Sequence, residues 1–192
     1  MKNKDVEIIM SLLENKINNV SINQLSKKLK MDYKNTYNAV KRLEKSNIIN
    51  LDKIGKAYNC ILNNNMNPMI FEAEYNRREK LLKNKNFKIL YNKLNSIKFP
   101  FIALIFGSYA KGTSNPHSDI DLMVICDKNT KDIERTISLL PLDIHLVTIS
   151  IEEFLKMDKK KEFNVVAEAM KNNIILIGIE DYYRLINDVK PW

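Results

Sequence analysis

Glycine and proline are scarce in this chain, 4 and 5 among 192 residues. So few of either excludes collagen-like repeats and low-complexity architectures. Cysteine is scarcer still. Cys60 and Cys126 stand far apart, in segments that read as different domains, which excludes a disulfide framework and fits a reducing compartment. Long hydrophobic runs are missing too: the longest, Phe99 to Phe106, falls far short of the roughly 20 residues that span a bilayer. Residues 1–17 are charged and amphipathic, without the long apolar segment or cleavage site of a secretory signal, so the expectation is a cytoplasmic protein with no membrane partner. What is present is 45% apolar and 28% charged residues. That supports a real core and excludes a disordered chain, while the length allows one large domain or two small ones.

Charge is unevenly spread. The net charge is +8, but residues 1–98 carry 20 Lys+Arg against 9 Asp+Glu, and residues 99–192 carry 11 against 14. A basic half favours a polyanion such as nucleic acid, through phosphate contacts and counterion release. Charge alone equally fits a lysine-rich surface that serves solubility.

Val6, Ile9, Met10, Leu13 and Ile17 recur at helical spacing, so residues 4–18 read as a first helix. Ser21 with Gln24 three residues on reads as a capping box, opening a second helix through Leu29. Asp32 caps a third, to about Ser46, with Tyr33, Thr36, Tyr37, Val40 and Leu43 as its inner stripe. Asn47 then sits where a left-handed residue ends a helix. Ile48 to Leu51 and Ala57 to Leu62 read as two short strands around a turn at Gly55.

Three short helices followed by a hairpin resemble the winged helix-turn-helix modules of transcription regulators, and QLSKKLKMDYKNTYNAVKRLEKSNIIN carries the likeness. The resemblance implies that helix three enters the major groove of DNA. Lys34, Asn35 and Asn38 then meet base edges, Lys41, Arg42 and Lys45 meet phosphates, and Lys53 and Lys56 lie on the wing. A module that binds protein or dimerises is the competing reading. Residues 63–98 follow, opening with the polar, proline-ended break NNNMNP and continuing in a helical pattern, either a connecting helix or a dimerisation arm.

Phe101 to Phe106 is continuously apolar, as in a strand buried on both faces. It ends in Gly107-Ser108, followed by Tyr109, Ala110, Lys111 and Gly112, where a glycine lets backbone approach a ligand and a helix start offers N–H groups to phosphate. With ten residues between it and Ser108 comes Asp119-Ile120-Asp121, followed by Leu122 to Ile125. In a strand both carboxylates face one way, about 6–7 Å apart. Such a pair repels itself unless cations neutralise it, and hard oxygen ligands suit Mg²⁺ or Mn²⁺. A third carboxylate belongs on a neighbouring strand. Asp127 is roughly 20 Å along the chain from Asp121 and too far, and Asp132 falls in a helical segment, Asn129 to Leu140. Asp143 fits better, at the start of the β-rich run Ile144 to Thr148.

The text GSYAKGTSNPHSDIDLMVI, with PLDIHLV supplying the later aspartate, resembles the signature of minimal nucleotidyltransferases of the DNA polymerase β superfamily. AEAMKNNIILIGIEDYY is similar to the end of those domains, so the likeness covers about residues 86–186. It implies that Gly107 and Ser108 hold the β/γ-phosphates of a nucleoside triphosphate, with Lys111 and Gly112 completing the nucleotide site. Asp119 and Asp121 would bind two Mg²⁺ ions, and Asp143 would share a metal and help deprotonate the attacking hydroxyl. Relatives often carry arginines at the positions of Tyr109 and Lys111; lysine keeps the charge but loses the bidentate fork. His117 reads as a solvated loop residue, His145 as structural, and the methionines as core filling.

The expected fold is therefore α+β with two domains. Residues 1–65 form a winged helix of three helices plus a hairpin, 66–98 a helical connector, and 99–192 a nucleotidyltransferase fold with a mixed sheet flanked by helices. The helix from about residue 86 is assignable to the last domain. The expected function is Mg²⁺-dependent transfer of a nucleoside monophosphate, AMP from ATP in the first instance, to a protein or other hydroxyl acceptor, coupled to DNA binding. The likeness extends to antitoxin-type enzymes that adenylylate a HEPN-class partner protein. The alternative is a winged-helix regulator whose nucleotidyltransferase domain only binds nucleotide or forms a homodimer. Polymerases and small-molecule modifiers usually need further substrate-binding domains, and few residues remain here for one.

Overall fold

Capping side chains set where the first helices begin. Asn3 accepts from the Asp5 N–H ahead of α1 (Lys4–Leu13). Ser21 and Gln24 form the capping box ahead of α2 (Ile22–Lys28), and Asp32 accepts from the Asn35 N–H ahead of α3 (Tyr33–Lys45). Each satisfies a helix-end donor that would otherwise be orphaned. The computed structural model describes residues 3–15, 20–55, 57–159 and 164–187; the expected end of the first helix, with Ile17, lies outside them. The chain forms two compact units, one from Met1–Asn76 with Tyr183–Trp192 and the other from Arg77–Tyr182.

In the first unit α3 ends in a Schellman motif. Asn47 is left-handed at φ +56°, its N–H donates to Glu44 O, and the Ile48 N–H donates to Leu43 O, which closes two of the last carbonyls. The buried stripe of α3 is Thr36, Ala39, Val40 and Leu43. Tyr33, expected in that stripe, is instead 51% exposed and stacks on Tyr37 with ring centroids 6.4 Å apart. It is the first residue past the cap, one turn before the first buried residues of the helix. β2 (Ile49–Ile54) and β3 (Ala57–Leu62) pair antiparallel around Gly55, at φ +61°. β1 (Val20–Ser21) adds to β3, giving a three-stranded sheet in the order β1-β3-β2.

The helical pattern after residue 66 is two helices, α4 (Pro68–Leu81) and α5 (Lys85–Asn95). The second unit then alternates β4 (Ile102–Ile105), α6 (Gly107–Lys111), β5 (Ile120–Ile125), α7 (Thr130–Ser138) and β6 (Ile144–Ile149). It closes with α8 (Ile151–Lys159), α9 (Val165–Lys171) and β7 (Ile174–Ile177), and the chain continues into α10 (Ile179–Asn187). The sheet order is β6-β5-β4-β7. β4 lies antiparallel to β5 and β7, whereas β5 and β6 are parallel, their crossover carried by α7 as a parallel connection requires. The sheet is therefore mixed, as expected.

Alternation along the strands builds the main core of this unit. Ala103, Ile105, Ile120, Leu122 and Val124 pack with Phe87, Leu90 and Leu94 of α5 and with Ile133 and Ile137 of α7. Ile144 and Leu146 of β6 pack against the same cluster. The odd-numbered residues of β5 and β6 consequently face the other way. None of the described helices is long and apolar enough to cross a membrane.

Two outcomes follow. Phe87→Ala removes a fully buried ring and should cost about 3–5 kcal/mol in urea unfolding. Both cysteines are buried. Burial, with the Glu44 charge adding to it, pushes the Cys60 thiol up to about 12, and burial followed by the charges of Asp127 and Glu134 raises Cys126 as well. A thiol at that value is roughly one part in ten thousand thiolate at pH 8. A disulfide-exchange reagent should therefore label both sites only after denaturation, and fast labelling of the native chain would contradict the packing.

Candidate functional site

Antiparallel pairing brings the end of β4 beside the start of β5, and parallel pairing brings the start of β6 to the same edge. The Phe106 N–H donates to Asp121 O at 3.0 Å, and the Ile120 N–H to Asp143 O at 2.9 Å. Strand alternation, which turns Ile120, Leu122, Ile144 and Leu146 into the core, turns Asp119, Asp121, Asp143 and His145 to the opposite face. The expected pairing of the Ile144 run beside the Asp119 strand is thus observed, with Asp121 opposite His145.

Gly107 touches this face directly. Its φ is +62°, and a Cβ placed on it would lie 1.9 Å from Asp121 Oδ2 and 2.8 Å from Asp121 Cγ. No side chain larger than hydrogen coexists with that carboxylate position. The next residue carries a second sign of a binding turn. Ser108 Oγ is buried without a hydrogen-bond partner among the described residues, an arrangement that costs free energy unless something else supplies the bond. Gly112 ends α6 in the left-handed region at φ +70°, in open space. Tyr109 turns its ring edge-on to Phe87 with centroids 4.9 Å apart. Its hydroxyl donates to Ser118 O at 3.3 Å, so it is a packing residue. Lys111 Nζ is 2.6 Å from Glu168 Oε1, which ties the turn to α9.

Asp119, Asp121 and His145 each offer a ligand atom, all within 4.8 Å of one another. His145 Nδ1 lies 3.2 Å from Asp121 Oδ1. Asp119 and His145 are exposed and Asp121 half-buried. The expected third carboxylate, Asp143, is exposed and precedes β6, but the cluster does not include it. The third member of that group is His145, which the sequence marks as structural. The signal for it was available: it sits two residues past Asp143, on the same face in the same register. Glu168 carries no local motif and was legible only through the fold. Asp127 is at the far end of β5, where its carboxylate accepts from the Ile151 N–H. His117 is exposed in the loop before Asp119.

On the first unit, Lys34, Asn35, Asn38 and Lys45 of α3 and Lys53 of β2 are exposed. Two of the expected phosphate contacts are already engaged. Arg42 forks onto Asp5, with Nη2–Oδ1 at 2.7 Å and Nε–Oδ2 at 3.3 Å, and that hydrogen bond and charge hold its guanidinium further toward the protonated form. Lys41 is bonded to Glu44 at 2.7 Å, which raises its ammonium pKa despite some desolvation. It also lies 5.7 Å from the Tyr58 ring centroid. Lys56 lies outside the described residues.

Residues 85–181, just over half of the chain, match the family described as Polymerase beta, Nucleotidyltransferase. No curated protein and no solved structure matches.

Gly107→Ala is the sharpest test of the turn. The left-handed strain should cost about 1–3 kcal/mol in thermal unfolding, while the methyl group drives the Asp121 carboxylate from its position. Mn²⁺ binding by calorimetry should weaken at least tenfold in a chain that still folds; unchanged binding would mean that the contact is unimportant.

Proposed function

The chain belongs to the polymerase beta nucleotidyltransferase family, and from that premise we propose that it transfers AMP from ATP to a hydroxyl acceptor, releasing pyrophosphate. The observation that carries this reading is the close approach of Gly107 to Asp121: it sets a glycine-serine turn, with its Ser108 hydroxyl unpartnered among the described residues, directly against the Asp121 carboxylate. In this reading the turn recognises phosphate and the carboxylates beside it hold a cation.

Asp119 and Asp121 suit a divalent cation, because two carboxylates turned to one face repel each other until positive charge is shared between them. Mg²⁺ or Mn²⁺ bound there supplies charge neutralisation for the reacting phosphates. The remaining work falls to this chain's own groups. Ser108 donates its hydroxyl hydrogen bond to a phosphate oxygen. Lys111 exchanges Glu168 for the triphosphate as a point charge, and Gly107 and Gly112 allow the backbone close approach. The acceptor oxygen attacks the α-phosphorus in line. The new P–O bond forms as the bond to the α,β-bridging oxygen breaks, and pyrophosphate leaves with that electron pair. The hydroxyl proton passes to a carboxylate, for which Asp143 is our candidate.

We place the acceptor hydroxyl on a partner protein, in the manner of antitoxin-type adenylyltransferases and their HEPN-class partners, and we read the first unit as a winged helix that binds DNA. Its support is the exposed polar row on α3, Lys34, Asn35, Asn38 and Lys45, in a strongly basic half of the chain. A regulator that only binds nucleotide is the second reading, and transfer of label separates the two.

With α-labelled ATP, a divalent cation and co-expressed partner proteins, label should move to protein. Asp119→Asn or Asp121→Asn should cut that transfer by at least about a hundredfold, the scale of several kcal/mol of metal-derived stabilisation. Nucleotide binding without transfer in the wild type would leave the regulator reading. For DNA, Lys45→Ala should weaken binding and lower the logarithmic salt slope by about 1, for one lost phosphate contact, whereas Lys34→Ala should weaken binding to a preferred sequence more than to a random one. Arg42 is a poor probe, since replacing it also strands Asp5.

A further inference from the structure

The cation site holds one side chain that a purely acidic description omits. His145 is the parallel-register partner of Asp121, and the alternation that buries Ile144 and Leu146 turns its ring toward the carboxylates. Its Nδ1 lies 3.2 Å from Asp121 Oδ1, and its side chain is 61% exposed, so packing does not account for its placement. Neighbouring ligand atoms of one ion with bonds of about 2.1 Å stand about 3 Å apart, which the Asp121–His145 separation already matches. Asp143 lies outside the group.

We propose that His145, rather than Asp143, completes the cation site with Asp119 and Asp121, giving a donor set of two carboxylates and one imidazole that prefers Mn²⁺ and other first-row divalent ions to Mg²⁺. This rests on reading the face as the nucleotidyltransferase metal site. Mg²⁺ takes oxygen ligands and binds imidazole poorly, whereas first-row ions accept nitrogen and oxygen together. Ligation uses the Nδ1 lone pair, so the ring carries its proton on Nε2 in the bound form and gives up the hydrogen bond to Asp121. Asp143 is then free of the metal to act as a proton acceptor.

The test is made on the full chain with Mn²⁺ and Mg²⁺ alone, without turnover. Calorimetry should give Mn²⁺ binding at least tenfold tighter than Mg²⁺, and pulsed electron paramagnetic resonance of bound Mn²⁺ should reveal coupling to a nitrogen nucleus. His145→Ala and His145→Gln should both abolish that coupling and weaken Mn²⁺ at least tenfold, with Mg²⁺ changed less than threefold. Circular dichroism checks that these exposed-site variants fold. Asp143→Asn should leave binding of both ions within twofold. Bound Mn²⁺ without nitrogen coupling, coupling that survives in both His145 variants, or loss carried by Asp143→Asn overturns the assignment of His145 alone. No Mn²⁺ binding by the wild type overturns the metal-site reading beneath it as well.

Discussion

Much of the second unit is organised around a conflict between like charges. Asp119 and Asp121 alternate on one strand and share a face, and the neighbouring strand brings the His145 ring against them, 3.2 Å from Asp121. In the proposed reading a divalent cation relieves that repulsion. Other features at the same edge answer to that demand. Gly107 must lack a side chain because Asp121 occupies the space. The parallel register must hold because a one-residue slip of β6 would turn His145 and Asp143 into the apolar core and put Ile144 beside the carboxylates. The α5–α7 core therefore acts on the chemistry indirectly, by fixing which residues of β5 and β6 are left to face away.

Local signals carried most of the fold. Ser21 with Gln24, Asp32, and Asn47 each act within four residues of themselves, so their roles are legible without knowing what the helices pack against. The apolar run at β4 and the alternation in β6 likewise declare burial on two faces and on one. What escaped was non-local. β1 is two residues long and exists only because β3 offers it an edge. Tyr33 carries the right period yet lies beyond the core's reach, since periodicity tells which side a residue faces and not how far the opposing surface extends.

At the site the division is similar. Gly107, Ser108, Asp119 and Asp121 announce themselves through spacing along one strand-turn-strand path, where chain geometry converts sequence distance into spatial distance. Asp143 is legible because it is acidic and begins the β-rich run beside the Asp119 strand; the register that pairs Asp121 with His145 is a property of two strands together, so the placement of His145 needed the sheet. Lys111 with Glu168 and Arg42 with Asp5 make the same point. A basic residue in sequence is a free charge, but in the fold it has a neighbour, and that neighbour must be displaced before a phosphate can be bound.

The tyrosine beneath the turn sets a limit on how this domain can change. Tyr109 spans two roles at once, its ring wedged against Phe87 and its hydroxyl held by the loop that leads into Asp119. An arginine there would give up the ring contact and the hydrogen bond to Ser118 in one step. The helical layer and the approach to Asp119 therefore share one anchor, and a substitution at position 109 disturbs both together.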